Sequence, residues 1–368
     1  LAEKELAAFA KEQQIPVVET MAGKSSLPWS NPLLVGPLGV TGSDPVNQLV
    51  SESDLIIAIG TRLQDFTTGS WTLFGDKDIV AINAARFDAT KRRASAVVGD
   101  ALATISELRI QVKPTNRANW IARAKSLKNS NVVLRTSREK LKSELPTYAQ
   151  VVIAANEIAR PEDYVLTAAG GLPGELNNNW LAKSIASFDC EYGFSCMGYE
   201  ISGAFGAAIA QKDMKKTGRV IAMTGDGSYM MLNSDIYSAV LHGYPLTLIL
   251  CDNGGFAVIS RLQTGNGAAS FRTMITENES AARVDFVAHA KSMGANTHRV
   301  TSVSELNKRL LDTANSKKVE VIVINTAPTT WTEGGAFWEV GVPEVSDKKS
   351  IQEARAKLID GKKAQRKF

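Results

Sequence analysis

Two glycine-rich polar clusters follow two apolar runs in the second half of the sequence. Asp226 lies in GDG after RVIAMT, and Asn253 lies in DNGG after PLTLILC. A carboxylate and an amide oxygen are hard oxygen ligands, and Mg²⁺ usually takes only one or two such protein groups while phosphates and water complete its coordination. Each cluster alone would be an ordinary tight turn. Together they predict a site for Mg²⁺ and a diphosphate group.

The segment between the clusters explains how residues 27 positions apart (253 − 226) could meet. Both apolar runs have the length and composition of buried β-strands, and Leu232, Ile236 and Val240 are spaced as on one face of a helix between them. A strand, a helix and a strand of these lengths form a βαβ unit with parallel strands. Both clusters then lie at the carboxyl edge of one sheet, where open α/β folds bind ligands.

The residues that flank Asp226 favour an anion beside the metal. Gly225 and Gly227 allow a tight turn and a close approach of the backbone. Ser228 stands where the next helix is predicted to begin, so its hydroxyl and the free N–H groups of the helix start could contact a phosphate. Other phosphate-binding motifs are missing from the sequence: no GxGxxG follows a strand, and the GKS at Gly23 lacks the leading glycine of a P-loop.

Composition restricts the function classes further. The 368 residues are 44% hydrophobic and 22% charged with a net charge of +4, which are ordinary values for a globular protein and favour no nucleic-acid partner. The three cysteines form no CxxC pair and the three histidines are dispersed, so neither a disulfide framework nor a zinc site is indicated. No run of about 18 apolar residues occurs, so no membrane span is expected. A reducing, cytoplasmic setting is the default expectation.

Strand and helix patterns alternate along most of the chain, which indicates an α/β fold with parallel sheets. We predict two Rossmann-like parallel-sheet domains, over residues 1–112 and 147–330. The polar, basic stretch 113–146 is interpreted as a linker with a helix, and 331–368 as a C-terminal tail that ends in a charged helix. The histidines fall on helix or strand patterns away from the glycine turns, so we interpret them as structural.

The stretch GDGSYMMLNSDIYSAVLHGYPLTLILCDNGG resembles the signature of thiamine-diphosphate-dependent enzymes, in which GDG is followed at a similar distance by an Asn-containing turn. The family usually has two asparagines at that turn, and Asp252 stands in place of the first one here. The resemblance implies thiamine diphosphate and Mg²⁺ as cofactors. It also implies Asp226 and Asn253 as the side-chain ligands of the metal, and the main-chain carbonyl of Gly255 as the third ligand.

The resemblance further implies a set of cofactor contacts. A bulky apolar residue stands under the thiazolium ring in this family, and SCMGYEISGAFG places Met197 there. The main-chain carbonyl near Ser195 would accept a hydrogen bond from the 4′-amino group. The diphosphate would lie against two glycine turns, whose residues are Gly170, Gly171, Gly225, Gly227 and Ser228.

The segment PVVETMAGKSSLPWSNPLLVGPLGVTGSDPVNQLVSESDLIIAIGTRL resembles the middle domain of the acetolactate-synthase-like members of the family. Within that group, EYGFSCMGYEISGAFGAAIA, DNGGFAVISRLQ and the tail WEVGVPEVS resemble the cyclic 1,2-diketone hydrolases of inositol catabolism. The resemblance implies hydrolytic cleavage of a carbon–carbon bond in a small cyclic diketone. Phe256, Arg261 and Gln263 are the candidate substrate contacts, and an Arg261 on a helix surface without such a role is an equal alternative.

Two other functions stay open at this point. The chain could belong to another carboligase or decarboxylase of the family, such as an acetolactate synthase, or it could bind the cofactor without catalysis. Family members hold the cofactor between two domains, and the second domain supplies a glutamate that activates the ring. No third α/β unit is recognised in the sequence. A pyrimidine-binding domain is therefore expected before Leu1, in a fragment or split enzyme that assembles as a dimer or tetramer.

Overall fold

The structure of the chain, a computed structural model, describes residues 2–367. These residues form two compact units. One comprises the described residues up to Thr136 and those from Glu333 onward, and the other is Ser137–Thr332. Within residues 2–367 every strand pair of the three sheets is parallel, which confirms the predicted α/β class. No helix in this part of the chain is long and apolar enough to cross a membrane.

Helices and strands alternate along both units. The first half contains α1 (Glu3–Gln13), β1 (Val17–Glu19), β2 (Leu34–Pro37), α2 (Asp44–Glu52), β3 (Leu55–Ile59), α3 (Asp65–Thr68), β4 (Asp78–Asn83), α4 (Arg86–Ala89), β5 (Ser95–Val98), α5 (Ala101–Gln111) and α6 (Ala118–Glu139). The second half contains α7 (Tyr148–Ile158), β6 (Tyr164–Thr167), α8 (Leu172–Asn179), β7 (Phe188–Cys190), α9 (Tyr199–Asp213), β8 (Val220–Gly225), α10 (Asp226–Met231), α11 (Asp235–Leu241), β9 (Leu246–Asp252), α12 (Ala257–Gly265), α13 (Phe286–Ser292), β10 (Asn296–Val300), α14 (Val303–Asp312), β11 (Val319–Asn325) and α15 (Lys349–Lys362).

The first unit contains a two-stranded sheet, β1-β2, and a three-stranded sheet, β3-β4-β5. The stretch 113–146, predicted as a linker, contains α6, and two apolar residues of this helix, Ala124 and Leu127, are buried in the core of the unit. The helix therefore belongs to the first unit as far as Thr136. A basic segment packs in this way because a few apolar residues on one helix face suffice to bury that face.

Most of the stretch predicted as a tail also belongs to the first unit. The N–H of Gly335 donates to Asp44 Oδ1 at 2.9 Å, and Arg366 Nη1 donates to the carbonyl of Gly75 at 2.9 Å. The unit is thus assembled from two parts of the sequence that lie on either side of the second unit.

The second unit is built on a six-stranded parallel sheet with the order β10-β11-β9-β8-β6-β7. Its central strands β8, β9 and β11 are apolar and buried almost throughout, as expected for strands covered on both faces by helices. Gly225 at the end of β8 is paired with Cys251 near the end of β9. The residues that follow both strands therefore lie side by side at the carboxyl edge of the sheet.

The connection between β8 and β9 differs from the predicted single helix. It contains two short helices, α10 and α11, and Leu232 lies between them with 41% of its surface exposed. Leu232 therefore does not share a buried helix face with Ile236, which is fully buried. Asn233 and Ser234 explain the interruption, because Asn and Ser favour helix starts over helix interiors, and Asn233 Nδ2 donates back to the carbonyl of Tyr229 at 3.2 Å.

A buried ion pair holds the opposite, amino edge of this sheet. Asp163 precedes β6, is 3% exposed, and accepts hydrogen bonds from the main-chain N–H groups of Arg160 at 3.0 Å and Arg219 at 2.8 Å. The guanidinium of Arg219 donates to it at 3.2 Å. Burial opposes ionisation of Asp163, but these donors outweigh that effect and hold its pKa below the ordinary value.

We predict that Asp163→Asn lowers the free energy of unfolding by about 3 kcal/mol, because it leaves the buried guanidinium of Arg219 without its counter-charge. The contribution of Asp163 is fully present above its ordinary pKa, about 3.9, and is lost as the pH falls through the lower folded-state value. Denaturant unfolding between pH 7 and pH 3 measures both effects. Asp213→Asn, at the exposed end of α9, is the control, and equal stability of the two variants would contradict the prediction.

Candidate functional site

Three oxygen atoms converge at the carboxyl edge of β8 and β9. Asp226 begins α10 directly after β8 and is 6% exposed, and Asn253 and Gly255 follow β9. Asn253 Oδ1 lies 3.1 Å from Asp226 Oδ1 and 3.0 Å from the main-chain oxygen of Gly255, while its amide nitrogen donates to the hydroxyl of Tyr148 at 2.7 Å. All three oxygens are hydrogen-bond acceptors, so only a donor or a cation between them makes their approach favourable.

The Asn253 amide has a second orientation that exchanges these roles. Rotated by half a turn, its nitrogen donates to Asp226 and Gly255, and its oxygen accepts from the hydroxyl of Tyr148. Tyr148 serves both orientations because a phenol can donate and accept. When the Asn253 nitrogen faces Asp226 and Gly255, all of these groups are hydrogen-bonded without a ligand. When the Asn253 oxygen faces them, a cation or another donor is needed between the three oxygens.

Burial governs the protonation of both groups that flank Asn253. The pKa of Asp226 is raised to about 7, first by burial and then by the charge of Asp252, while nearby backbone N–H groups act in the opposite direction. Burial also raises the pKa of the Tyr148 phenol well above its ordinary value, so this group stays neutral. A cation at the cluster would favour the ionised form of Asp226.

A backbone bridge fixes the direction of the Gly255 carbonyl. The N–H of Phe256 donates to the carbonyl of Thr273 at 2.8 Å, and the N–H of Ile275 donates to the carbonyl of Gly254 at 2.8 Å. Gly255 has a φ of 142°, and a Cβ on it would lie 2.3 Å from the Thr273 oxygen. Both the backbone angle and the close approach therefore require glycine here.

A cavity of about 610 Å³ lies beside the oxygen cluster and is lined by Asp226, Gly227 and Phe256 together with residues of the segment after α12. The ring of Phe256 lies against Gly227, where an added Cβ would come within 2.7 Å of a ring carbon. The cavity is large enough for a small organic ligand. Two arginines, Arg272 and Arg283, line its wall and were not identified from the sequence.

The other two candidate substrate contacts point elsewhere. The guanidinium of Arg261 lies 5.3 Å from the ring centre of Trp331, and Gln263 Oε1 accepts the N–H of Phe271 at 3.0 Å. Neither side chain lines the cavity. Of the three candidate substrate contacts only Phe256, directly before α12, lines this cavity, and the predicted substrate roles of all three stay predictions.

The hydroxyl of Ser228 forms two hydrogen bonds within the protein. It donates to Glu200 Oε2 at 2.8 Å and accepts the main-chain N–H of Gly198 at 2.9 Å. Both hydrogen-bonding roles of the hydroxyl are thus taken by protein groups here, and its predicted contact with a phosphate stays a prediction. The main-chain N–H groups at the start of α10 have no partner within the helix and remain suited to an anion.

Met197 and Ser195 lie on the loop between β7 and α9. Met197 is half-buried and is followed by Gly198, whose φ is 97° and whose Cβ would lie 2.5 Å from that of Leu232. Only glycine fits both conditions, so the turn after Met197 is fixed against the segment that follows α10. Ser195 is exposed, with its hydroxyl 3.4 Å from the carbonyl of Ala168. The predicted cofactor roles of both residues stay predictions.

The second glycine turn follows β6, the strand next to β8. Gly170 is exposed, whereas Gly171 lies against Trp331, whose ring would be 2.2 Å from an added Cβ. Trp331 in turn meets the ring of Tyr148 edge-on, with ring centres 5.8 Å apart. This stack links the glycine turn to the tyrosine behind the oxygen cluster.

The donor set at the cluster differs from that of a transition-metal centre. No group of three or more His, Cys, Asp or Glu side chains suited to a metal occurs in the part of the chain that the structure describes. The cluster instead combines one carboxylate, one amide and one main-chain carbonyl, all of them hard oxygen ligands.

Comparison with known protein families agrees with this arrangement. Residues 1–108 match the family model described as thiamine pyrophosphate enzyme, central domain, and residues 169–324 match the one described as thiamine pyrophosphate enzyme, C-terminal TPP binding domain. The chain belongs to the thiamine pyrophosphate enzyme family. The oxygen cluster and both glycine turns lie within the TPP binding match.

Several similar proteins carry the name 3D-(3,5/4)-trihydroxycyclohexane-1,2-dione hydrolase, some with a number added. The relative from Geobacillus thermodenitrificans is 35% identical over 393 residues, which cover 98% of this chain and 61% of that protein. A relative from Bacillus cereus, numbered 2 in its name, is 36% identical over 390 residues, with 96% and 60% covered. One from Listeria innocua is 35% identical over 396 residues, with 99% and 61% covered. The chain thus spans about three fifths of the length of these relatives.

Sequence reasoning missed two buried polar residues beside the oxygen cluster and the glycine turns, Tyr148 and Glu200. Tyr148 is the first residue of α7, which begins with a capping box formed by Thr147 and Gln150. This box can be recognised in the sequence and predicts the start of the helix, but it does not predict the contact of Tyr148 with Asn253. Glu200 is the one acidic residue in the first turn of α9 and has small and apolar neighbours. A single acidic residue in such a segment could have been recognised as a candidate for a buried polar role.

We predict that Gly255→Ala distorts the metal turn, because the added methyl group would collide with the Thr273 carbonyl and the backbone would be strained. Loss of the bridge should destabilise the protein by about 1–3 kcal/mol. Gly206→Ala is the matched control, since Gly206 lies in α9 with open space around its Cβ position and should gain about 0.5–1 kcal/mol. Thermal unfolding of both variants is the measurement, and an unchanged Gly255→Ala protein would contradict the strain argument.

Proposed function

We propose that the oxygen cluster binds Mg²⁺ and that the adjoining glycine turns bind the diphosphate of thiamine diphosphate. The observation that carries this proposal is the convergence of oxygens from Asp226, Asn253 and Gly255. Neighbouring ligands of an octahedral Mg²⁺ are about 3.0 Å apart when the Mg–O distance is about 2.1 Å. The Asn253 side chain lies 3.1 Å from Asp226 Oδ1 and 3.0 Å from the Gly255 oxygen, distances compatible with this spacing when the amide oxygen faces them and with direct hydrogen bonds when the nitrogen does.

Each residue of the cluster would have a distinct task. Asp226 supplies the negative charge, Asn253 supplies a neutral oxygen that Tyr148 holds in place, and Gly255 supplies a carbonyl aimed by its backbone bridge. Main-chain N–H groups of the two glycine turns would hold the diphosphate. The metal anchors the diphosphate in this arrangement and does not activate water.

We further propose that the intact protein opens the ring of trihydroxycyclohexane-1,2-dione to 5-deoxyglucuronate in myo-inositol catabolism. Support comes from the shared name of relatives that match nearly the whole of this chain. Thiamine diphosphate, when bound, supplies the nucleophilic carbon and the electron sink needed to break a bond between two carbonyl carbons. Phe256 and the two arginines of the cavity wall, Arg272 and Arg283, would contact the cyclic diketone and limit its access to solvent.

The site would need one further group. A glutamate that activates the cofactor ring would come from a pyrimidine-binding domain, which is neither of the two domains matched here. We propose that such a domain completes the site within a dimer or tetramer, so activity is to be measured on an assembly that includes it.

Asp226→Ala should weaken binding of thiamine diphosphate in the presence of Mg²⁺. The loss should be at least the roughly 10- to 100-fold that removal of an outer-shell partner costs at metal sites, since a direct ligand is removed. Titration calorimetry at saturating Mg²⁺ measures the dissociation constant. Asp213→Ala, an exposed aspartate of the same unit, should bind as the wild type does. Undiminished affinity of Asp226→Ala would rule out the proposed metal site.

The substrate proposal is tested separately with the assembled enzyme. We expect ring opening of the cyclic dione, seen as appearance of the acid by chromatography or NMR, to depend on both thiamine diphosphate and Mg²⁺ and to stop when a chelator removes the metal. Pyruvate is the competing substrate. Carboligation of pyruvate without ring opening would reject the hydrolase function and leave the cofactor site unaffected.

A further inference from the structure

Glu200 is a fully buried carboxylate to which neither the metal cluster nor the cavity assigns a role. Its Oε1 accepts the N–H of Ala169 at 3.2 Å, and its Oε2 accepts the N–H of Gly198 at 3.0 Å and the hydroxyl of Ser228 at 2.8 Å. No ion pair joins it to a basic side chain within residues 2–367. Burial raises the pKa of Glu200 above its ordinary value, while the hydrogen bonds from Ser228, Ala169 and Gly198 act in the opposite direction.

The three donors belong to three separate turns of the proposed cofactor site. Ala169 directly precedes the Gly170–Gly171 turn after β6, Gly198 follows Met197, and Ser228 lies in α10 behind the metal ligand Asp226. Because β6 and β8 are neighbours, one side chain can reach the ends of both strands from the start of α9. The carboxylate therefore ties together the turns expected at the diphosphate and the turn expected at the thiazolium ring.

A carboxylate suits this position better than an amide does. Its two oxygens accept all three hydrogen bonds, and both accept from any direction in their plane. A glutamine would present an N–H₂ group either to the N–H of Ala169 or to the donors from Gly198 and Ser228, so a donor would face a donor. The position in the first turn of α9, a helix of 15 residues, also favours a negative charge.

We propose that Glu200 is a positioning residue, which holds these three turns in the arrangement that thiamine diphosphate requires. The inference rests on the proposed function for the identity of the ligand. It assigns to Glu200 no contact with the cofactor or substrate. Its role is carried entirely by the main-chain groups of Ala169 and Gly198 and by Ser228.

The test compares Glu200→Gln with Glu320→Gln in the full chain. Glu320 is a matched control because it is 3% exposed, accepts three side-chain hydrogen bonds, and lies at the amino edge of the same sheet. We expect Glu200→Gln to raise the dissociation constant of thiamine diphosphate at saturating Mg²⁺ by roughly tenfold, the equivalent of one lost hydrogen bond to a charged group. Glu320→Gln should lower stability and leave this constant unchanged.

Amide hydrogen exchange supplies a readout that does not need the cofactor. Exchange at Ala169 and Gly198 should be faster in Glu200→Gln than in Glu320→Gln at equal global stability. Wild-type affinity in Glu200→Gln, or equal exchange in the two variants, would overturn the inference. Failure of the wild-type chain to bind thiamine diphosphate would count against the proposed function, and hydrogen exchange would still decide the role of Glu200.

A second variant covers the case in which Glu200→Gln does not fold. Ser228→Ala removes one donor to Glu200 and one acceptor from Gly198, without an unpaired buried group of comparable cost. We expect faster exchange at Gly198 and a smaller loss of cofactor affinity than in Glu200→Gln. Ser228→Ala with the exchange and affinity of the wild type would also overturn the inference.

Discussion

The parallel register of β8 and β9 is the constraint on which the rest of the site depends. Gly225 is paired with Cys251, so both strands end at the same level and their following residues meet. A shift of the register by one residue would exchange the two faces of a strand and move Asp226 away from Asn253. The long apolar sequences of these strands hold the register, because each buried side chain fits only one layer of the core.

Acidic groups dominate the region around the oxygen cluster. Asp226 and Glu200 are buried, as is Glu175, whose pKa is raised by burial although it accepts the N–H of Thr332 at 2.9 Å. Each carboxylate is surrounded chiefly by backbone and hydroxyl donors. Such a region stabilises the turns through many hydrogen bonds and at the same time favours a divalent cation. The same carboxylates thus hold the turns in place and give the site its negative charge.

The sequence predicted the sheet edge because its signals were local. Strands β8 and β9 are continuous apolar runs, and the glycines beside Asp226 and Asn253 mark the ends of those runs. The contacts that could not be predicted depend on side-chain direction. Ser228 reaches Glu200 and Arg261 reaches Trp331 because of the angles of α10 and α12, which no spacing encodes. The burial of α6 was missed for another reason: its few apolar residues are hidden in a basic composition.

The division of the first unit into two stretches of sequence has a consequence for biosynthesis. Residues from Glu333 onward make contacts such as that of Gly335 with Asp44, across 291 positions of the chain. A ribosome releases all of Ser137–Thr332 before these residues emerge, and at about 5–20 residues per second this interval lasts on the order of 10 seconds or more. During that interval the first unit lacks its residues from Glu333 onward, whereas the second unit can already fold.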